Sequence, residues 1–250
     1  IPFFLWVREP TEQQTEPLLK AARDAWPELR RTISNLPRTP SLFAYLGSSM
    51  FYRDALTGLY AFGTIYAAGV LGWSVIYSGI FGIIAVITAA IFAWFGGFAD
   101  RRFGPKPVIT FNVTALILIS TAVIFVSRDT VLGIPVAESS HIPDYVFFAL
   151  GAAIGAAGGS LQAASRTMMI RHADPEASTE AFGLYALAGK ATAFVGPFAV
   201  GKATEMSGSQ QIGILPLILL FALSLLLLFW VKPQGERAVC LSTGKPLPSG

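Results

Sequence analysis

The stretch SLFAYLGSSMFYRDALTGLYAFGTIYAAGVLG, Ser41 to Gly72, is apolar, aromatic or small throughout, apart from a few hydroxyls and the adjacent charges Arg53 and Asp54. What those charges do depends on the solvent around them, and composition decides the solvent. Hydrophobic residues make up 53% of the chain and charged residues 13%, whereas a soluble domain carries about 25% charged residues. So few charges do not cover a globular surface, which leaves the bilayer. A helix crossing a hydrocarbon core about 30 Å thick needs about 20 mostly apolar residues, and six stretches qualify: Ser41 to Leu71, Val75 to Gly97, Val108 to Val126, Tyr145 to Arg166, Thr179 to Ala203 and Ile212 to Val231. The expected fold class is all-α, a polytopic membrane helix bundle of six transmembrane helices over residues 41–231.

Outside the bundle, Ile1 to Val7 are apolar and are stopped by Arg8, Glu9 and Pro10, which reads as the end of a preceding span in a longer membrane protein. Residues 8–40 form a polar connector in which Leu18, Ala22 and Trp26, then Leu29, Ile33 and Leu36, recur at helical spacing on either side of Pro27. Two short amphipathic helices and a solvated linker both fit that pattern. Residues 232–250 read as a polar, disordered tail. With the connector placed in the cytoplasm, Arg101, Arg102, Lys106, Arg166, Arg171, Lys232, Arg237 and Lys245 fall on the same side, and Arg128 and Lys202 on the other. That bias is the positive-inside pattern. The net charge of +3 then reflects topology and contact with membrane lipids, with no nucleic acid implied. The lone Cys240 excludes an intrachain disulfide and a cysteine metal cluster. His141 and His172 fall at opposite membrane faces, and no acid, base and nucleophile set converges at one depth. No enzyme, metal or cofactor chemistry is therefore expected.

Between the second and third spans lies GGFADRRFGPK, Gly96 to Lys106. Gly96 and Gly97 are expected to end a helix and allow a tight turn. Asp100 is expected to accept hydrogen bonds at a neighbouring helix N-terminus, with Arg101, Arg102 and Lys106 facing cytoplasm and lipid phosphate, so that the loop acts as a conformational latch. This segment resembles the loop motif of the major facilitator superfamily, although it has an extra residue before Gly104 and Pro105 where a basic residue is common. GSLQAASRT (Gly159 to Thr167) and FGLYALAGKATAFVGP (Phe182 to Pro197) are similar to segments of the vacuole-effluxer-like branch. The resemblance implies that the six spans form the C-terminal half of a twelve-helix transporter whose partner is an N-terminal six-helix half, and that relatives in fungi export amino acids from the vacuole.

At about 1.5 Å rise per residue, Arg53 and Asp54 lie about 18 to 20 Å into the first span and Lys190 about 16 Å into the fifth, all near the midplane. A charge there costs about 2.5 to 3.5 kcal/mol against lipid, so these side chains are expected to face a wet cavity or each other. Asp54 is expected to pair with Lys190, leaving Arg53 to hold a substrate carboxylate or phosphate, with Tyr52 and Tyr185 lining the same site. Asp54, and less centrally Glu180, are the candidates for proton coupling. Gly183, Gly189, Gly196 and Pro197 divide the fifth span, with a kink expected at Gly196 and Pro197. Gly151, Gly155 and Gly159, four apart, are expected to let another helix approach closely. Gln162, Ser165 and Arg166 either line an inner vestibule or bond to neighbouring backbone. Two functions follow: a secondary transporter of small anionic or zwitterionic solutes in a bacterial inner membrane, or a non-transporting scaffold on the same fold. Their difference lies in whether Arg53 and Lys190 are open to a cleft or neutralised in a dry contact.

Overall fold

The computed structural model describes residues 40–137, 139–173 and 178–234, with the backbone alone at 178–180. All of these lie in one of the two units into which the chain divides, Pro37–Gly250. The apolar segment at Ile1 to Val7, the connector up to residue 39 and the tail from residue 235 lie outside the described residues.

Eight helices and one hairpin follow in order: α1 (Pro40–Val70), α2 (Val75–Phe103), α3 (Pro105–Ile124), β1 (Thr130–Val131), β2 (Ile134–Pro135), α4 (Ile142–His172), α5 (Ser178–Ala191), α6 (Val195–Ser207), α7 (Gln210–Gly213) and α8 (Leu215–Phe229). α2, α3, α4, the broken span Ala181–Ser207 and the broken span Gln210–Phe229 are each long and apolar enough to cross a membrane. α1 has 31 residues, also enough to cross, but Arg53, Asp54 and its hydroxyls make it the least apolar. The described residues thus form an all-α polytopic membrane bundle, five spans by length and apolarity together with α1, the last two of the five built from two helices each. Strands β1 and β2 pair antiparallel, Val131 opposite Ile134, across a tight turn at Leu132 (φ 51°) and Gly133 (φ 81°). Positive φ at both central residues is the turn geometry that matches strand twist.

Polarity sorts the helices. α1 is the most enclosed, burying residues from Ser41 to Ala67 on most of its circumference, and it packs chiefly on α8 and α6. α2 is the opposite case: Ile83, Val86, Trp94 and Phe95 are exposed, and only Phe81, Ala85, Gly96 and Asp100 are buried. That one narrow face lies on α4, where the glycine series behaves as the spacing predicts. A Cβ on Gly151 would collide with the Phe81 ring, on Gly155 with the Ala85 carbonyl and on Gly159 with the Ala89 carbonyl. Missing side chains at those three positions let the two backbones touch, which drives helix association where lipid removes any hydrophobic incentive.

The turn between α2 and α3 differs from expectation. Gly96 and Gly97 do not end α2, which runs on to Phe103 and is closed by a single residue, Gly104, at φ 84° with its N–H on the Asp100 carbonyl. Gly96 instead packs on Ser160 of α4, so its lack of a side chain serves helix contact and Gly104 supplies the backbone freedom. At the other end of the bundle, Asp144 accepts hydrogen bonds from Trp73 Nε1 (2.6 Å) and from Arg128 Nη1 (3.0 Å), while Arg128 Nη2 donates to the Leu71 carbonyl (2.5 Å). The α1–α2 and α3–α4 connections are both tied in this way to the start of α4.

Gly155→Leu or Gly159→Leu is expected to lower the unfolding free energy by about 1 to 3 kcal/mol through overpacking, read as a drop in melting temperature of the purified protein. Gly201→Ala, at an exposed helical glycine with open space around its Cα, is expected to be neutral or slightly stabilising. Equal effects at the two sites would remove close backbone approach as the reason for the series.

Candidate functional site

The polar residues of α1 near mid-span meet α4 and α5 in two very different ways. Tyr45 and Tyr52, seven residues apart on one face of α1, are both fully buried and converge on Ser165 of α4, where Tyr185 of α5 joins them. Tyr45 donates to the Ser165 carbonyl (2.5 Å), Tyr52 is hydrogen-bonded to Ser165 Oγ, and Tyr185 Oη lies 2.7 Å from the same oxygen. One assignment satisfies all four hydroxyls: Tyr52 and Tyr185 donate to the two lone pairs of Ser165 Oγ, and Ser165 gives its proton to Tyr45 Oη at 3.1 Å. No hydroxyl proton is left over for a ligand. Tyr52, Tyr185 and Ser165 are therefore a clamp between three helices, and the expectation that Tyr52 and Tyr185 meet substrate through their hydroxyls, or that Ser165 lines a vestibule, is not met in this geometry. Gln162 and Arg166, one turn apart, are exposed on the other face of α4.

Arg53 sits on the outer side of this clamp. Its guanidinium lies over the Tyr185 ring at 4.4 Å and donates from Nη1 to the Tyr185 carbonyl at 2.9 Å. It also rests on Gly189, where a Cβ would collide with it. Tyr185 and Gly189 are one turn apart on α5, so an aromatic face, a carbonyl and a missing side chain together make a seat for the guanidinium. Gly189 was read from sequence as a bend; its role here is to admit Arg53. Arg53 remains half-buried, and the residue after Gly189, Lys190, is exposed. Among the described residues neither cation forms an ion pair. The expected pair between Asp54 and Lys190 is not formed, because Lys190 turns outward from α5 while Asp54 turns into the bundle.

Asp54 is 1% exposed, and its Oδ1 has no hydrogen-bond partner among the described residues. It faces the interruption of the fifth span. The Thr192 hydroxyl lies beside its carboxyl, and its main-chain carbonyl touches Gly196, where any side chain would intrude. The break itself falls at residues 192–194, upstream of the expected kink at Gly196 and Pro197. Pro197 lies in the first turn of α6, where its missing N–H costs little, and what it denies is a bond to the Ala193 carbonyl one turn earlier. The chain therefore leaves helical geometry before the proline and not at it, with Val195 N bonded to Thr192 O at 2.7 Å. Glu180 belongs to the first turn of α5, and its side chain lies outside the described residues.

The remaining expected residues belong to the α2–α3 turn. Asp100 is buried with Oδ1 unpartnered among the described residues, and no helix N-terminus meets it. Arg101 and Arg102 are exposed in the last turn of α2, where they complement the helix dipole. Lys106 Nζ donates to the carbonyls of Val231 (2.6 Å) and Phe229 (3.2 Å), capping the end of α8. His141 and His172 stand at opposite ends of α4, and no group of metal-ligating side chains forms among the described residues. Sequence reading missed Tyr45, an unremarkable tyrosine in an apolar run, and the Asp144–Arg128–Trp73 tie; the first had a signal in its seven-residue spacing from Tyr52.

Ser165→Ala should cost about 1 to 3 kcal/mol by stranding buried phenols, whereas Ser165→Ala combined with Tyr52→Phe should cost less than the sum of the two single changes. Thermal unfolding of the four proteins checks this cycle, and strict additivity would mean that the hydroxyls do not share one network.

Comparison with known proteins now places the chain. A family described as "Vacuole effluxer Atg22 like" matches residues 1–238. "Uncharacterized MFS-type transporter YxiO" of Bacillus subtilis (strain 168) is 22% identical, covering 86% of this chain and 47% of that protein. "Autophagy-related protein 22-2" of Emericella nidulans is 23% identical over 92% of this chain and 39% of its own length. "Autophagy-related protein 22" of Coccidioides immitis is 24% identical over 85% and 36%. The chain spans less than half the length of these curated relatives, and no solved structure matches it. With its multi-pass helices and a match over nearly all of its length, the chain belongs to the vacuole effluxer Atg22-like family.

Proposed function

We propose that this chain is the C-terminal half of a secondary transporter that works by alternating access, moving small anionic or zwitterionic metabolites such as amino acids, with an N-terminal six-helix half as its partner. A bacterial inner membrane is the setting we propose for it. In this reading Arg53 and Lys190 hold the anionic group of the substrate, and Asp54 is the proton-coupling residue. The observation that carries it lies at adjacent residues of α1: a half-buried arginine seated on α5 at Gly189, which an exposed lysine follows in the chain, and, one residue on, a buried carboxylate with an oxygen unpartnered among the described residues, against a broken helix. Open cations attract an anion in a way that a dry, neutralised contact does not, which favours transport over a scaffold role. Arginine suits the task because its fork presents two parallel donors to a carboxylate, and here only one of its N–H groups is committed, to Tyr185. Broken helices near the midplane are where transporters commonly build such sites, because unwound backbone is tolerated only beside a polar cavity. The family relationship supports transport at the level of class; the substrate and the coupling ion rest on the residues.

Reconstitution of the full-length protein into vesicles tests both roles. Arg53→Gln is expected to raise the KM for an amino-acid substrate about 10- to 100-fold, the equivalent of about 1.5 to 3 kcal/mol for a charge-assisted bond. Asp54→Asn is expected to abolish accumulation driven by a pH gradient while leaving substrate exchange across the membrane intact. Full gradient-driven uptake by Asp54→Asn would sink the coupling role, and an unchanged KM in Arg53→Gln would sink the substrate role.

A further inference from the structure

On its outer surface the bundle carries a groove of about 690 Å³ between α2, α3 and α4. Small residues Ala99, Ala115, Ala153 and Ala156 form its floor, and aromatic rings such as Phe92 and Phe111 form its walls. Its polar lining groups satisfy each other: Asn112 Nδ2 donates to Ser160 Oγ at 3.0 Å and to the Val108 carbonyl at 2.7 Å. What the groove offers is therefore hydrocarbon surface. Lengthwise it runs on α2 from Phe103 to Phe92 and on α3 from Pro107 to Ile119, about 16 to 18 Å at 1.5 Å per residue. That is close to half of a hydrocarbon core about 30 Å thick, the depth of one leaflet.

At the α2–α3 turn the groove opens into a second cavity of about 590 Å³ that shares Phe103, Pro107 and Phe111 with it. Here the chemistry changes. Lys106 and Arg171 line this cavity together with the hydroxyl-bearing Thr110, and among the described residues no acid is in its lining. The Arg171 guanidinium packs over Gly104, and among the described residues its one hydrogen bond is a long one to the Pro233 carbonyl at 3.5 Å. Lys106 is anchored to backbone carbonyls at the end of α8, which fixes its charge at the cavity without neutralising it. Two cations therefore stand at the mouth of an apolar slot that is one leaflet deep.

We propose that these joined cavities are a binding site for an anionic phospholipid, its phosphate held by Arg171 and Lys106 and one acyl chain lying in the α2–α3–α4 groove. Charge complementarity selects the headgroup, because cations near a membrane surface attract acidic lipids. The length of the slot selects the chain: a packed protein helix would continue past the midplane, whereas this groove stops there. Arginine at the mouth also provides directed donors that a phosphate oxygen accepts in parallel. Occupation would brace the α2–α3 turn against the end of α4 from outside the bundle, away from Arg53 and Asp54.

Native mass spectrometry and thermal unfolding of the delipidated full-length protein test this, with phosphatidylglycerol, phosphatidylcholine of the same acyl chains, and inorganic phosphate as probes. Phosphatidylglycerol is expected to bind and to raise the melting temperature, phosphatidylcholine to bind at least about 10-fold more weakly, and inorganic phosphate at millimolar concentration to do neither. Arg171→Gln, a change at an exposed side chain, is expected to weaken phosphatidylglycerol about 10-fold towards the phosphatidylcholine level. Ala115→Phe is expected to weaken both lipids by filling the slot, and Ala115→Met serves where the larger residue harms folding. Equal binding of the two lipids, or wild-type binding by both Arg171→Gln and the slot-filling variant, would overturn the proposal. So would phosphate alone stabilising as much as the lipid, which would make this a free-anion site. Absence of lipid binding altogether would mean that protein covers the groove.

Discussion

An ionised side chain has no adequate solvent in hydrocarbon, and the bundle is arranged around the helix that carries two of them. Placing Arg53 or Asp54 against lipid would cost several kcal/mol each, so α1 is enclosed by α8, α6 and α5 while its neighbours take the lipid contact. α2 shows the other side of the same constraint. Nearly free of polar groups until its final turns, it tolerates exposure along most of its surface and needs only one strip of small residues to hold it to α4. Hydrophobicity therefore sets which helices lie outside, and steric complementarity sets how they adhere.

Close approach of backbones recurs where α1 meets the broken span. A Cβ on Gly58 would meet both the Leu217 side chain and the Gly196 backbone, and one on Gly196 would meet the Asp54 carbonyl. α1 thus grips the fifth span on both sides of its interruption: α6 through glycine contacts, α5 through the Arg53 seat and the tyrosine clamp. The two grips differ in kind. Glycine contacts are indifferent to small rotations about the crossing, whereas the clamp depends on directed hydrogen bonds that fail together once Ser165 leaves its place. A motion of α5 relative to α6 would therefore be opposed on the α5 side only.

Much of this was legible in the sequence, and the rest was hidden for physical reasons. Span number and the fold class follow from apolar run length, because hydrocarbon thickness is a fixed ruler. The α4 glycine series was legible because spacing of four is a face of a helix whatever it packs on. Gly96 and Gly97 misled, since a glycine pair signals both a helix end and a close helix contact, and only the neighbour Ser160 decides between them. Pro197 pointed to the right span but to the wrong residue, as its steric effect falls one turn earlier in the chain. The Asp54–Lys190 pair failed because depth along two helices was known and rotation about each axis was not. The seat of Arg53 on Tyr185 and Gly189 was hidden for the same reason.

The clamp and Asp54 contrast satisfied with unsatisfied polarity on one helix. Buried hydroxyls around Ser165 close on themselves, every proton having an acceptor, and such a network holds helices together while being inert to ligands. Asp54 Oδ1, a few ångströms further along the same helix, is left without a partner in an equally enclosed place. Leaving one carboxylate oxygen open beside Thr192, where the helix is already broken and backbone is free to rearrange, keeps a high-energy group at the point that moves most easily. A proton or a cation arriving there would relieve that cost and bear directly on the geometry of the break, which is the link between binding and motion that a coupled carrier requires.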